Sequence, residues 1–390
     1  GDYNTACGYS ALELNTTGSS NTAVGHKSLE ANTTAGNNTA VGYNSLLSNT
    51  TGEQNVAIGA FALDANTTAN NNIAIGYEAL TNNTTGTRNL GIGRRAVKAT
   101  TTGNDNTGVG YHALELNTTG VSNVAVGTQA LDANTTGVEN TAVGCDALTN
   151  NTTGQHNAAF GHDALELNTT GGNNTGLGEQ ALEANTTGSS NTGVGHAALH
   201  ANTTASNNTG VGFYAMLANT TGTQNTAVGN QSLDANTSGN YNVAVGYNAL
   251  TTQTTADRNT AIGQSALKLT TTGTNNTAVG QAALNDNTTG EDNTAVGSGA
   301  LDASTTASNN TAVGKHSLGA NTTGHSNVAV GANTLQTNVG GQENVAIGRN
   351  SLYSNLNASY NIAIGPDAMY SVTGTAGNNI AIGRNSLYTN

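Results

Sequence analysis

The sequence Asn-x-(Ala/Gly)-apolar-Gly recurs with a 17-residue period from Asn4 to Asn361, twenty-two times without insertion or deletion, and once more at Asn379 after an 18-residue step. So strict a spacing restricts the fold more than any composition does. One 17-residue unit cannot bury an apolar face alone and gains a core only by stacking on the units before and after it, which makes a solenoid. The expected fold is all-β, a parallel β-solenoid (β-roll) of about 23 coils, running as one continuous rod over residues 1–390 because no linker interrupts the phase. At an inter-strand rise of about 4.8 Å per coil, such a rod is on the order of 110 Å long.

Positions are counted here from the Asn that opens each coil. Position 1 is Asn in all twenty-three coils, among them Asn4, Asn21, Asn38, Asn191, Asn208, Asn361 and Asn379. Stacked amides can hydrogen-bond donor to acceptor in a ladder, whereas a residue chosen for turn geometry alone would admit Asp or Gly somewhere. Position 3 is only Ala or Gly, position 4 is apolar and mainly Val or Ile, and position 5 is Gly. Position 8 is Ala or Ser except at Thr334, and position 9 is Leu except at Val97, Met216 and Met369.

This pattern predicts two short strands per coil, at positions 1–5 and about 8–12, with the Val/Ile and Leu columns facing each other across a thin core. A helix is the rival for the second segment, but about seven residues fall short of the roughly 12 to 15 at which isolated helices hold. Positions 12–15, usually Asn-Thr-Thr-Gly, read as a polar turn. One Val/Ile and one Leu per coil, at about 1.5–3 kcal/mol each, stand against ordering costs of about 1–2 kcal/mol per residue. Homo-oligomerisation is therefore expected to supply more burial. The small residues at positions 3 and 8 either form a close-packed face between chains or fill a narrow interior.

A longer period overlies the first. The position-10 series Leu47, Asp64, Thr81, Lys98 recurs ten coils on as Leu217, Asp234, Thr251, Lys268, so a ten-coil block has been duplicated. Lengthening by duplication suits a shaft or filament and offers nothing to an active site.

Only 8% of residues are charged, the net charge is −13, and Arg94 and Arg95 are the sole adjacent cations. Nucleic acid and anionic membranes need clustered Lys and Arg and are not expected as partners; no stretch approaches the ~20 apolar residues of a membrane span. No nucleophile recurs beside a base, the His residues show no ligand spacing, and the acidic pairs at position 10, such as Glu13 and Glu30, read as a solvated stripe, with calcium bridging as the alternative. No catalytic, metal or cofactor-binding residue is expected, and the chain is not expected to be an enzyme. Cys7 and Cys145 lie eight coils apart and cannot bridge within a rigid rod. Fifteen turns carry an Asn-Thr-Thr or Asn-Thr-Ser glycosylation sequon, read as turn and ladder formers with sparse glycans as the alternative. The periodic pattern reaches both ends without a capping segment, which fits a fragment or end-to-end polymerisation.

Asn-Val-Ala-Ile-Gly at 55–59 and 344–348 and Asn-Ile-Ala-Ile-Gly at 72–76 resemble the head repeat of trimeric autotransporter adhesins of the YadA type. The longer Asn-Thr-Ala-Val-Gly-Tyr-Asn-Ser-Leu with Asn-Thr-Thr-Gly resembles the repeat arrays of bacteriophage tail fibres. The adhesin repeat is usually shorter, and the extra length of this chain's coil falls at Thr-Thr-Gly. The resemblance implies a left-handed β-roll in a homotrimer, placed outside a cell, on a cell surface or on a virion.

The functional expectation is a structural fibre: a rigid spacer for host or surface attachment, partnered by copies of itself and by a cell-surface receptor or glycan. A self-assembling extracellular filament is one alternative. An ice-binding protein is another, motivated by the threonine columns at Thr16 and Thr17 or Thr33 and Thr34. Aromatic side chains are enriched at binding hot spots, which points to Tyr353, Tyr360, Tyr370 and Tyr388 for recognition; a covered end of the rod is the competing reading.

Overall fold

The computed structural model describes residues 1–372, 374 and 377–389. The chain is an all-β parallel β-solenoid with 17-residue spacing, carrying 23 three-residue strands and no helix among the described residues. It comprises two compact units, Gly1–Asn191 and Thr192–Asn390. The first contains the strands from Thr5–Cys7 to Thr175–Leu177, the second those from Thr192–Val194 to Ile380–Ile382.

Within each unit every strand pairs in parallel with the equivalent residues one coil on. In the first unit Thr22, Ala23 and Val24 face Thr39, Ala40 and Val41, and in the second Thr277, Ala278 and Val279 face Thr294, Ala295 and Val296. Late in the second unit, two further pairs of residues, Ser354–Asn355 and Ser371–Val372, form a small parallel sheet of their own.

Strand geometry corrects the expected core. Successive side chains of a strand point to opposite faces, so positions 3 and 4 cannot both point inward. Position 3 is the inward one: Ala23, Ala57 and Ala125 are 0% exposed, whereas Val24, Ile58 and Val126 at position 4 are 37%, 40% and 37% exposed. The Val/Ile column therefore lies outside the core, beside the partly exposed Thr or Val of position 2. The size limit at position 3 follows from the packing. A Cβ at Gly91 would stand 3.3 Å from Leu80 Cγ and 3.0 Å from the Ala96 carbonyl oxygen, so the leucine of one coil occupies the space against position 3 of the next.

The second expected strand is also corrected. Positions 7 and 9 are left-handed in coil after coil, as at Lys27 (φ 56) and Leu29 (φ 50) or Asn248 (φ 56) and Leu250 (φ 53). Side-chain-bearing residues enter this region at a cost of about 1–2 kcal/mol each. The backbone still bonds from coil to coil there: Leu29 N–H donates to the Ser45 carbonyl at 3.1 Å, and Lys27 N–H to the Tyr9 carbonyl at 2.8 Å. The local twist turns Leu29 fully inward, 0% exposed, and a buried leucine contributes about 1.5–3 kcal/mol, enough to offset its own conformation. Position 8 is interior as well, with Ser28 and Ala62 at 0%, so positions 3 and 8 fill the narrow core of the coil.

Gly at position 5 has two causes. Gly25 sits at φ 131, and a Cβ there would lie 2.4 Å from the Gly42 carbonyl oxygen of the next coil. Both conformation and space exclude a side chain.

Candidate functional site

The position-1 asparagines line the interior. Asn21, Asn38, Asn191, Asn208 and Asn361 are 0% exposed, while Asn4 and Asn379 are partly exposed. Each amide works in two directions. Asn4 Oδ1 accepts the Asn21 backbone N–H at 2.9 Å, and Asn21 Nδ2 donates to the Ala35 carbonyl at 2.9 Å. Asn38 repeats this at 3.0 and 2.9 Å, and Asn191 N–H donates to Asn174 Oδ1 at 3.0 Å. In the second unit Asn225 N–H donates to Asn208 Oδ1 at 3.0 Å, Asn361 N–H to Asn344 Oδ1 at 3.0 Å and Asn379 N–H to Asn361 Oδ1 at 3.1 Å. These rungs run mainly from amide to backbone, which explains why Asp never replaces Asn: a carboxylate accepts but cannot donate.

A second ladder stands at position 12, whose asparagines the sequence marks as turn and ladder formers. Asn32 Nδ2 donates to Asn15 Oδ1 at 2.9 Å, Asn49 Nδ2 to Asn32 Oδ1 at 3.1 Å and Asn66 Nδ2 to Asn49 Oδ1 at 2.8 Å. Each also donates to its own position-15 carbonyl, as Asn49 does to Gly52 at 2.9 Å. The signal is present in the sequence, since position 12 is Asn in 18 of the 23 coils. These are also the sequon asparagines, and Asn32, Asn49 and Asn66 are 0% exposed, so the folded coil withholds their amides from a glycosylating enzyme. Two changes of residue in the column each cost a rung: the buried Asn83 Oδ1 beside Thr100, and Asn287 Oδ1 beside Ser304, have no partner.

The expected threonine columns separate. At position 13 the hydroxyl donates to the carbonyl one coil on, Thr33 Oγ1 to Thr50 at 3.1 Å and Thr288 Oγ1 to Thr305 at 2.9 Å, leaving position 14, as at Thr34, as the exposed column.

Of the four C-terminal tyrosines the structure brings three together. Tyr353 and Tyr370 stack with centroids 5.1 Å apart, and Tyr370 and Tyr388 with centroids 5.0 Å apart, all on position 10. Tyr360, at position 17, stands outside this stack and is 52% exposed. A longer aromatic ribbon goes beyond the sequence expectation. Tyr9, His26 and Tyr43 stack at 5.3 and 5.0 Å, Phe61 meets Tyr43 and Tyr77 edge-on, and the Arg94 guanidinium lies between Tyr77 and Tyr111 at 5.9 and 5.7 Å. Stacked rings turn their faces on one another and their edges to solvent, so this ribbon works first as an inter-coil contact.

Charge is organised by the same one-coil step. Arg88 pairs bidentately with Asp105 at 2.6 and 2.8 Å. Glu78 receives Lys98 at 2.6 Å and Arg95 at 3.2 Å; the Lys98 hydrogen bond leads in holding its carboxyl down to about 2. The position-10 aspartates behave oppositely. Burial pushes Asp64 and Asp132 up to about 6, aided by the Glu78 charge at the first and the Glu115 charge at the second.

Cys7 and Cys145 are both free and exposed. Cys145 donates to Asp146 Oδ2 at 3.1 Å, a bond that raises its thiol pKa, and His162 Nδ1 lies 2.8 Å from Asp163 Oδ2. Cys145, Asp146 and His162 bring their donor atoms within 4.8 Å of one another, one coil apart. Histidine spacing by itself gives no hint of this mixed group, although a Cys and a His at position 6 of consecutive coils are neighbours in any such stack.

No helix among the described residues is long and apolar enough to cross a membrane. No protein-family model matches this sequence, and no curated protein matches it either.

Proposed function

We propose that the chain is the shaft of an extracellular or virion adhesin fibre, a rigid spacer that associates with copies of itself through the outer face of its sheet and carries no catalytic centre. The observation that carries this reading is the Val/Ile column at position 4: within each unit, half-exposed apolar side chains recur from coil to coil, among them Val24, Ile58 and Val126 in the first and Val228, Ile262, Val296 and Ile347 in the second. Long contiguous apolar surface marks an interaction site. Covering about 50 Å² per coil at about 25 cal/mol per Å² contributes about 1 kcal/mol. Over the 11 strands of the first unit that amounts to about 10 kcal/mol, within the range of about 4–15 kcal/mol that association costs in lost freedom. The repeat's resemblance to trimeric adhesin heads and tail fibres makes three the expected number of chains. Within each unit, stacked coils bonded to one another by backbone and amide ladders supply the stiffness of a spacer. Ice binding draws less support, because the position-13 hydroxyls already donate within the fold.

Sedimentation equilibrium and electron microscopy of the full chain test the reading. The wild type should sediment as a trimer and appear as thin rods. Replacing Val109, Val126 and Val143 by Glu should shift it toward monomer while leaving its circular dichroism intact. A wild type that stays monomeric at all accessible concentrations refutes the self-association; a trimer that attaches to no cell or glycan surface refutes the adhesin role.

A further inference from the structure

We propose that Cys145, Asp146 and His162 form a binding site for one divalent transition-metal ion, with Zn²⁺ the best fit. Cys145 and His162 occupy position 6 of consecutive coils, and Asp146 and Asp163 occupy position 7, so the parallel stack places a thiol, an imidazole and two carboxylates side by side. Asp146 is left-handed at φ 56, as is Asp163 at φ 57, a conformation that the coil imposes at this position whatever the residue. The fold thus fixes the backbone beneath these donors.

Donor chemistry selects the ion. A thiolate and an imidazole are borderline-soft ligands that suit Zn²⁺ and its neighbours, whereas Ca²⁺ and Mg²⁺ prefer all-oxygen shells. Cys145 Sγ stands 3.1 Å from Asp146 Oδ2, and the three donor atoms lie within 4.8 Å of one another. Tetrahedral zinc with bonds of about 2.0–2.3 Å sets its ligands roughly 3.3–3.8 Å apart. Small rotations of surface side chains close that difference. Asp163, 2.8 Å from His162 Nδ1, supplies the carboxylate partner that orients imidazole ligands in metal sites. Among the described residues this is the one place where three such donors converge.

Binding replaces the thiol-to-carboxylate hydrogen bond by a shared ion. The Cys145 S–H bond breaks, its proton leaves to solvent, and the sulfur lone pair forms the metal bond. Three protein ligands leave a fourth position for water. The ion would staple two consecutive coils of the first unit through positions 6 and 7, none of them in the position-4 column, so the site stands independently of the fibre reading.

The test uses the tag-free full chain carrying Cys7→Ser, so that Cys145 is the only thiol. Titration with Co²⁺ should give a thiolate-to-metal charge-transfer band saturating at one ion per chain, which Zn²⁺ displaces, and Zn²⁺ should slow modification of Cys145 by a thiol reagent. Cys145→Ser should abolish the band. His162→Gln should abolish or strongly weaken binding, and Asp163→Asn should weaken it by about 10- to 100-fold. Circular dichroism of each variant checks that the coils remain folded. A Co²⁺ spectrum without a thiolate band, or a Cys145→Ser chain that binds Zn²⁺ as tightly as its parent, means an adventitious ion only and overturns the proposal.

Discussion

Replacing Asn123 probes the position-1 ladder where all its partners are known. Asn123 Oδ1 accepts the Asn140 backbone N–H at 3.0 Å and Asn140 Nδ2 at 3.2 Å, while its own Nδ2 donates to the Gly137 carbonyl at 2.9 Å and to Asn106 Oδ1 at 3.3 Å. After Asn123→Ala most of these groups keep a partner: Gly137 retains Asn134 Nδ2 at 3.1 Å, Asn106 Oδ1 retains the Asn123 N–H at 3.1 Å, and Asn140 Nδ2 retains Gly154 at 2.9 Å. The group left without one is the Asn140 backbone N–H, in a residue that is 0% exposed. One buried unsatisfied donor costs about 1–3 kcal/mol. Because each coil contacts only its neighbours, the loss should stay local. Hydrogen exchange read by mass spectrometry should show protection falling by roughly 5- to 150-fold in peptides spanning coils 106–156, with distant coils unchanged. Asn123→Asp makes the sharper comparison. It preserves shape and the acceptor for Asn140, but sets a second carboxylate oxygen against the Gly137 carbonyl and buries a charge at a cost of several kcal/mol. At pH 7 Asp should therefore be worse than Ala. Its folded pKa must be raised, so the deficit should shrink as pH falls below that pKa and the side chain regains a donor. If Asp is tolerated better than Ala at pH 7, or neither changes exchange, the two-way amide argument fails.

Ser304→Asn should restore a position-12 rung by giving Asn287 Oδ1 a donor, raising stability by about 1 kcal/mol in urea unfolding; a loss would mean that the column has no room there. Asp64 and Asp132 have folded pKa values raised to about 6 from an unfolded value near 3.8, so the folded state binds more protons and stability should rise as pH falls from 7 toward 5. A rise of that size corresponds to about 3 kcal/mol, which solvent screening of half-buried groups reduces to about 1 kcal/mol each. Asp64→Asn with Asp132→Asn should remove that part of the gain in thermal melts, and an undiminished gain would contradict it. Expression in a glycosylating host should leave Asn32, Asn49 and Asn66 unmodified in the folded chain, checked by peptide mass spectrometry; substantial occupancy would show that these amides are not held inside.

Much of this molecule is legible from spacing alone. A 17-residue phase without slips can be satisfied only by stacked coils, so the parallel in-register pairing of Thr22 with Thr39 or Thr277 with Thr294 is implied by the repeat itself. The invariance of Asn4, Asn21 and Asn38 likewise announces a position under hydrogen-bonding constraint, and the glycines of position 5 a backbone bend or a contact too tight for a side chain. Which way the columns face emerges only in the folded coil. Hydrophobicity marks Val24 as core, but alternation allows only one of positions 3 and 4 inside, and the leucine packed against position 3 settles which. Propensity cannot anticipate left-handed Leu29, because the cost of that conformation is recovered only through burial that the stack creates. Coil register brings Cys145 beside His162 and sets Tyr360, at position 17, apart from Tyr353, Tyr370 and Tyr388 at position 10, but the donor distances and the ring stacking are decided by the folded coil. The repeat sets the period and hence the stack; the three-dimensional coil sets orientation and neighbours, because a linear pattern records how often a residue returns and not which side of the chain it faces.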